Sequence, residues 1–468
     1  MSFVSLSTLL FISVVIAVNS LLPKNKRHYW LLASSLAFIS LLSWQSSIVL
    51  MLLSSINFLI GKRIETSRIA YVLGVFINIL AIVAFNYIGY FNKNLSVNIQ
   101  EINFSINEFI LAVGLSFYSI QHIAYLLDIR KNKIKPETNY LHFLFCSTYF
   151  PKHISGPVTK HQELIGFAGQ NALNKKLFFS GFNRFLLGLF KKLVIADSLA
   201  SSIQSVFDFN NEYPGLTILT GGLLFTIQLY FDFSGYSDMA IGVSNMLGIK
   251  LPENFKLPLR ATSIGDFWRK WHVSLIRFFT EYIFYPVSYH FRKKKKLAAA
   301  LGIIITFLVS GLWHGIGLTF IIWAVCHLVY LIIELFLLKR NKNISIPRKI
   351  LGWLYVILAV SFSNIFFRIK STDLLLLKCK NLFSFSNFIP KDFATEFFAP
   401  IAVGWHQIEQ FNFGITLFFC MSFLLFEKKL NLLSKREEYS VIYTYLFIML
   451  IIVFGVFSNG EQFIYMQF

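Results

Sequence analysis

Apolar residues along the chain gather in runs of about 20, the helix length that a bilayer's hydrocarbon core demands, and short basic stretches separate them. Such runs recur near residues 2–22, 29–60, 69–90, 109–127, 176–195, 214–231, 297–337, 350–367, 413–426 and 439–457. The runs at 29–60 and 297–337 have room for a hairpin each, which brings the expected crossings to roughly eleven or twelve. The first run has no basic leading region, and Leu21, Leu22 and Pro23 make a poor cleavage site, so it reads as a retained helix rather than a signal peptide. The pattern predicts an all-α polytopic membrane protein. With no internal repeat, low-complexity tract or Pro/Gly/Ser-rich linker, residues 1–468 are expected to form a single integral-membrane domain.

Composition agrees: 56% of residues are hydrophobic and only 14% charged. The formal net charge of +20 raises nucleic acid as a partner. Its distribution excludes that reading, because the cations sit in short loops between spans instead of along one soluble face. Lys24 to Arg27, Lys62 to Arg68, Arg130 to Lys135, Arg292 to Lys296, Lys339 to Lys349 and Lys428 to Arg436 can all be cytoplasmic on one threading. That threading leaves 92–108, 368–412 and both ends outside. Cys146, Cys326, Cys379 and Cys420 are far apart, with no C-x-x-C pair, so neither a metal site nor a disulfide framework is indicated.

Four stretches break the apolar pattern. In "YFPKHISGPVTK" (149–160), Pro151, Gly156 and Pro157 forbid a regular helix, which fits either a cytoplasmic loop or re-entrant backbone buried in protein. "FDFSGYSDMAIG" (231–242) is expected to put Asp232 and Asp238 at the end of a hydrophobic helix, where a carboxylate must be paired or wet. In "SIGDFWRKWHVSLIRFF" (263–279), Ser263 and Asp266 mark a helix start; Phe267, Trp268, Trp271, Leu275, Phe279 and Tyr282 then share one face, with Arg269, Lys270, Arg277 and Glu281 opposite. An interfacial amphipathic helix is expected, with His272 at the edge of its aromatic face. The fourth is "SGLWHGIGLTF" (310–320). Only sixteen residues lie between Lys296 and Trp313, about 24 Å of helix, so a hairpin turning at "WHG" keeps His314 within the membrane's depth. An ionisable residue there is a functional-site candidate by default.

Taken together and in order, these stretches, with "GLSFYSIQHIAYLLDIRK" (114–131) and "NIFFRIK" (364–370), resemble the membrane-bound O-acyltransferase (MBOAT) family. The likeness covers most of the chain and is nearer to the alginate and peptidoglycan O-acetyltransferase branch than to the teichoic-acid D-alanyl transferases. It implies an MBOAT-like helical bundle with re-entrant segments in a bacterial inner (cytoplasmic) membrane, surrounded by membrane lipids. It also implies that His314 matches the family's embedded catalytic histidine and His272 its second one. The ending "FIYMQF" matches an F-x-Y-x-x-F tail, which makes Tyr465 a candidate acyl relay; an aromatic tail anchored at the bilayer surface is the equal alternative.

Acyl transfer from a thioester to a hydroxyl needs a base and donors for the oxyanion, and histidine suits the first role. No G-x-S-x-G elbow is present, so a serine acyl-enzyme is not suggested. The expected activity is therefore O-acylation, in the first place O-acetylation, of an extracytoplasmic polysaccharide or peptidoglycan. His314 and His272 are the catalytic candidates, and Trp313, Trp268, Arg269, Lys270 and Asp238 the substrate-binding ones. No tightly bound cofactor or metal is expected; acetyl-CoA or another acyl thioester is the donor, and the resemblance implies an extracytoplasmic SGNH-type transferase as partner. D-alanyl transfer to teichoic acid is the alternative, and a transporter or a scaffold subunit would be further ones. A single cysteine introduced at Lys294 should resist an impermeant thiol reagent in intact cells, whereas one at Asn94 should react; the reverse pattern overturns the threading.

Overall fold

A computed structural model describes residues 4–94, 113–169, 174–315, 317–337, 345–401, 407–433, 440–457 and 463–464. Every regular element among these residues is helical, and the chain divides into two compact units, Met1–Phe185 with Met239–Glu253 and Leu186–Asp238 with Asn254–Phe468. In order, the helices are α1 Leu6–Leu21, α2 Lys24–Leu42, α3 Trp44–Gly61, α4 Arg68–Asn94, α5 Leu115–Arg130, α6 Tyr140–Thr148, α7 His161–Gly169, α8 Lys175–Phe190, α9 Asp197–Phe207 and α10 Gly215–Met246. They continue as α11 Ile264–Lys270, α12 Val273–Phe279, α13 Tyr285–His290, α14 Lys295–His314, α15 Leu318–Leu337, α16 Ile346–Arg368, α17 Thr372–Leu382, α18 Gln407–Leu433 and α19 Ser440–Phe454. Among the described residues, α3, α10, α14, α15 and α16 are long and apolar enough to cross a membrane, and the molecule is a helical membrane protein.

The first unit buries small polar residues among its apolar core while it leaves other large apolar residues outside. Ser43 ends α2 and caps α3, its Oγ accepting from Ser46 N at 3.2 Å, which makes the hairpin expected at 29–60. Ser34, Ser47, Ser54 and Asn57 are buried while Leu41, Leu52 and Leu59 are exposed. Helices without a hydrophobic force between them associate through just such small and hydrogen-bonding side chains. Asn57 and Asn78 exchange amide hydrogen bonds at 3.3 and 2.7 Å, and His122 joins them at 3.3 Å from Asn57 Nδ2. At Gly61 an added Cβ would lie 2.8 Å from the Tyr125 ring, so this approach of α3 tolerates no side chain. The "YFPKHISGP" stretch forms a one-turn helix, Phe150–His153, and is buried along its length: Lys152, His153, Ser155 and Thr159 are all inside. It is not a solvated loop.

The second unit departs from two expectations at once. Residues 231–242 do not end a helix; α10 runs 32 residues straight through them. The cause lies in the run expected as one span at 176–195. There α8 widens into a π-helical turn, Lys191–Ala196, before α9. Lys191 Nζ reaches Asp238 at 2.8 Å, and Lys192 Nζ lies 2.7 Å from Asp197 and 2.9 Å from Asp232. Glu427 on α18 stands 3.5 Å from Lys191 and accepts from the Tyr230 hydroxyl. With their charges paired, Asp232 and Asp238 can stay in the interior of a buried helix, which an isolated carboxylate could not.

Outside the spans, Asp208 at the end of α9 takes a two-pronged hydrogen bond from Arg368, the last residue of α16, at 2.5 and 2.9 Å. Lys370 adds a contact at 3.3 Å. Burial opposes ionisation of Asp208, but the Arg368 hydrogen bonds and charge prevail, with help from Lys370, and hold its carboxyl below the usual carboxylate range. A depressed carboxylate contributes stability above its unfolded pKa and loses it as pH falls. Asp208→Asn should therefore cost about 1.5–3 kcal/mol at pH 7, read as a lower thermal midpoint of the purified protein. The gap to wild type should begin to narrow below about pH 4 and close only as pH falls through the lowered pKa of the folded state.

Candidate active site

His314 is the last residue of α14, and α15 begins four residues later, so the expected hairpin turns at "WHG". The turn is tight because two glycines make it so. A Cβ on Gly311 would lie 2.8 Å from the Ala324 Cβ, and one on Gly315 would lie 2.4 Å from the Phe320 ring. The close approach encloses the imidazole in aromatic walls: its centroid is 4.7 Å from Trp313, 5.2 Å from Trp323 and 5.1 Å from Phe367. His314 is buried.

His272 is supplied by a different part of the second unit. The continuous amphipathic helix expected over 263–279 is interrupted: α11 stops at Lys270, and His272 adopts a left-handed conformation, φ 42°, as the N-cap of α12. Asn254 explains the break. It is fully buried; its carbonyl accepts from Val273 N at 2.9 Å, and its side-chain Oδ1 accepts from Ser274 N at 3.4 Å and Ser274 Oγ at 2.8 Å. The same Oδ1 lies 3.0 Å from His272 Nδ1, and the Asn254 amide nitrogen donates to Ser237 Oγ at 3.1 Å. Because a backbone N–H can only donate, Oδ1 is the acceptor and His272 Nδ1 carries the proton, which leaves a lone pair on Nε2. Phe233, one turn from Ser237 on α10, packs edge-on against the imidazole at 4.7 Å. Burial, with a smaller contribution from nearby His314, pushes the His272 imidazole down to about 3. It stays neutral through the physiological range.

The remaining candidates divide. Trp313 walls His314 directly. Trp268 stands one ring away, 5.9 Å from Trp323. Arg269 and Lys270 face outward at the end of α11, both paired with Asp266, at 3.4 and 2.6 Å. Asp238 is engaged with Lys191. Tyr465 lies outside the described residues, but the two residues before it are buried: Phe463 sits under Lys192 Nζ at 4.6 Å and edge-on to Tyr236 at 5.0 Å, and Ile464 N donates to Asp232 Oδ2 at 2.9 Å.

Sequence reasoning missed five residues here. Asn254 gave no signal beyond a polar residue in a loop. Lys191 and Lys192 were legible as two cations inside an apolar run, the anomaly that flagged His314. Glu334 on α15 accepts from the first amides of α11, Gly265 N at 3.0 Å and Ile264 N, and so fixes that helix's N-terminus where its dipole favours an anion. His327, also on α15, is buried 5.0 Å from Trp268 and 5.1 Å from Trp323.

His314 and His272 are thus both buried against aromatic rings. The chain matches the MBOAT, membrane-bound O-acyltransferase family over residues 2–372 and belongs to it. It is 33% identical over 400 residues to a peptidoglycan O-acetyltransferase of Helicobacter pylori, covering 78% of this chain and 74% of that one. It is 30% identical over 427 residues to the probable alginate O-acetylase AlgI of Azotobacter vinelandii, covering 86% and 84%. A teichoic acid D-alanyltransferase of Bacillus subtilis is 30% identical over 246 residues, covering 49% and 60%. The chain is thus a multi-pass membrane-bound O-acyltransferase that uses an acyl donor.

The left-handed backbone at 272 makes its own prediction. His272→Gly should retain more thermal stability than His272→Ala, by about 1 kcal/mol, because only glycine adopts that conformation freely. Both should lose turnover to a similar extent if the imidazole matters. Equal stability of the two variants would mean that the turn relaxes.

Proposed function

We propose that this protein takes an acetyl group from a cytoplasmic thioester, acetyl-CoA or an acyl carrier, and moves it across the bacterial cytoplasmic membrane for O-acetylation of a polysaccharide or peptidoglycan. The bundle that does so crosses the membrane roughly eleven or twelve times. What supports this reading is that two separate elements each bury an imidazole against aromatic rings, His314 at the turn after α14 and His272 at the start of α12. Enclosure matters, because a water-excluding chamber protects a thioester from hydrolysis and strengthens every polar contact inside it.

In the proposed reaction His314 takes the proton from an attacking hydroxyl while that oxygen bonds to the thioester carbonyl carbon. The C–S bond then breaks, and the thiolate leaves as thiol once it receives the proton. His272 orients or polarises a reacting group, Trp313 shapes the chamber, and Trp268 lies on the donor's approach. Arg269 and Lys270, outward on α11, meet the donor's phosphates, and Asp238 contributes by anchoring α10.

Tyr465 is the proposed first acceptor. Its phenol forms an ester, then is regenerated when a second hydroxyl takes the acyl group outside, on an SGNH-type transferase or the polymer itself. Support comes from the buried Phe463 and Ile464, which hold the chain inside the second unit immediately before Tyr465. An intrinsic phenol pKa of about 10 means that the hydroxyl needs a base beside it.

His314→Ala should abolish transfer from a labelled thioester by the purified protein, with unchanged yield and thermal midpoint; wild-type transfer by the variant refutes the assignment. Tyr465→Phe removes only the hydroxyl and should stop polymer acetylation without lowering protein abundance, while mass spectrometry of a trapped wild-type tail should find acyl on Tyr465. Normal polymer acetylation by the Phe variant would make the tail an anchor.

A further inference from the structure

A groove of about 350 Å³ runs along the second unit between α18 and α19. Its floor is Phe190, the last residue of α8, whose ring lies 5.7 Å from Phe419, 6.1 Å from Phe423 and 5.2 Å from Phe447. Phe190, Phe423 and Phe447 are buried, while Phe426 on α18 and Leu446 on α19 are half-exposed and form the rims. Apart from Ser422 and Lys429 the walls are phenyl and isobutyl groups, and a hollow so lined does not hold water. At one end the character changes. Lys429 borders the groove there and is exposed, as is Lys428 beside it. Glu427, the nearest acid in the chain, is turned the other way, its carboxylate accepting from Lys191 and from the Tyr230 hydroxyl, so it serves the buried cluster.

The dimensions of the groove say what fits it. From Phe419 to Leu430 it follows eleven residues of α18, about 16 Å of helix, or close to half of a hydrocarbon core roughly 30 Å thick. The loop cations place Lys429 at the cytoplasmic end of that path. The groove therefore covers the depth of the cytoplasmic leaflet, with its cation at the level of the headgroups. At about 30 Å³ for each water-sized group, it has room for about a dozen methylene-sized groups in file. A helix of the same length, about 10–12 Å across, would fill roughly three to four times that volume. The space thus suits a single hydrocarbon chain, and the lysine at its end suits an anionic head.

We propose that the groove between α18 and α19 binds one anionic phospholipid of the cytoplasmic leaflet, an acyl chain lying over Phe190 and the headgroup phosphate meeting Lys429. The lipid would join two helices that both bear on the π-helical turn. Through Glu427, α18 holds Lys191, and just beyond α19 the amide of Val456 donates to Leu193 O at 3.1 Å. The proposal is independent of the acyl-transfer reading, because binding is measured and not turnover.

Native mass spectrometry of the purified full-length protein, titrated with phosphatidylglycerol or with phosphatidylcholine of the same chains, is the test. The wild type should bind one phosphatidylglycerol about fivefold more tightly than phosphatidylcholine, and its thermal midpoint should rise as that site fills. Lys429→Gln should abolish the preference, whereas Lys294→Gln, in another cytoplasmic loop, should keep it. Ser422→Phe, which fills the groove, should lose the tight site for both lipids. If Ser422→Phe does not accumulate, the exposed Lys429 decides the matter alone. Equal binding of the two lipids by the wild type, or an unchanged preference in Lys429→Gln, overturns the proposal and leaves ordinary boundary lipid. A dimer that Ser422→Phe dissociates also overturns it, and assigns the groove to a second copy of the chain.

Discussion

The constraint on which this structure depends is that lipid gives polar groups nothing to bond to. Every buried donor, acceptor and charge must find its partner inside the protein. In the second unit this produces the pairing of Lys191 and Lys192 with Asp232, Asp238 and Asp197, made possible by a π-helical turn. Removing one partner of such a buried pair is far more damaging than never having built it, because a lone charge is left in low dielectric. The polar cluster is thus an obligate unit, and it fixes α10 against the end of α8.

Once α10 is fixed, the surroundings of His272 follow from it. Phe233 and Ser237, one turn apart on α10, meet His272 and Asn254 respectively. Asn254 then ties the backbone after His272, and its Oδ1 selects the imidazole tautomer. Glu334 holds the start of α11 from the other side, which sets Trp268 against His327 and Trp323. Rigid placement of this kind lets hydrogen-bonding groups act on a reacting centre without reorganising during the reaction.

Much of this was legible in the sequence, and the pieces that were not share a reason. The helical hairpins at 29–60 and 297–337 and the turn at "WHG" follow from run length and glycine spacing, which are local properties. The break at His272 does not, since Phe267 to Tyr282 keep a helical period across it; the break is imposed by Asn254, eighteen residues upstream, through bonds that no periodicity records. Asp232 and Asp238 looked like the end of a helix because their lysine partners lie some forty residues earlier in the chain. His327 sits in an apolar helix just as His314 does, but without flanking glycines to draw attention to it. In each case the distant partner, and not the local pattern, decides the conformation.

The pairing at Asp232 bears on the proposed acyl path as well. Its Oδ1 holds Lys192 while its Oδ2 accepts the amide of Ile464, so one carboxylate both neutralises a buried cation and seats the last segment of the chain. Phe463 covers the same ammonium from above. A tail held only by apolar contact at a bilayer surface would slide freely, whereas one held by a directional backbone hydrogen bond to a buried ion pair has a defined register. Register is what the proposed covalent relay would require, because a hydroxyl displaced by one residue along the chain, about 3.3–3.6 Å, is no longer within hydrogen-bonding reach of its base. The cluster that keeps α10 intact within lipid thereby also fixes the position of Ile464.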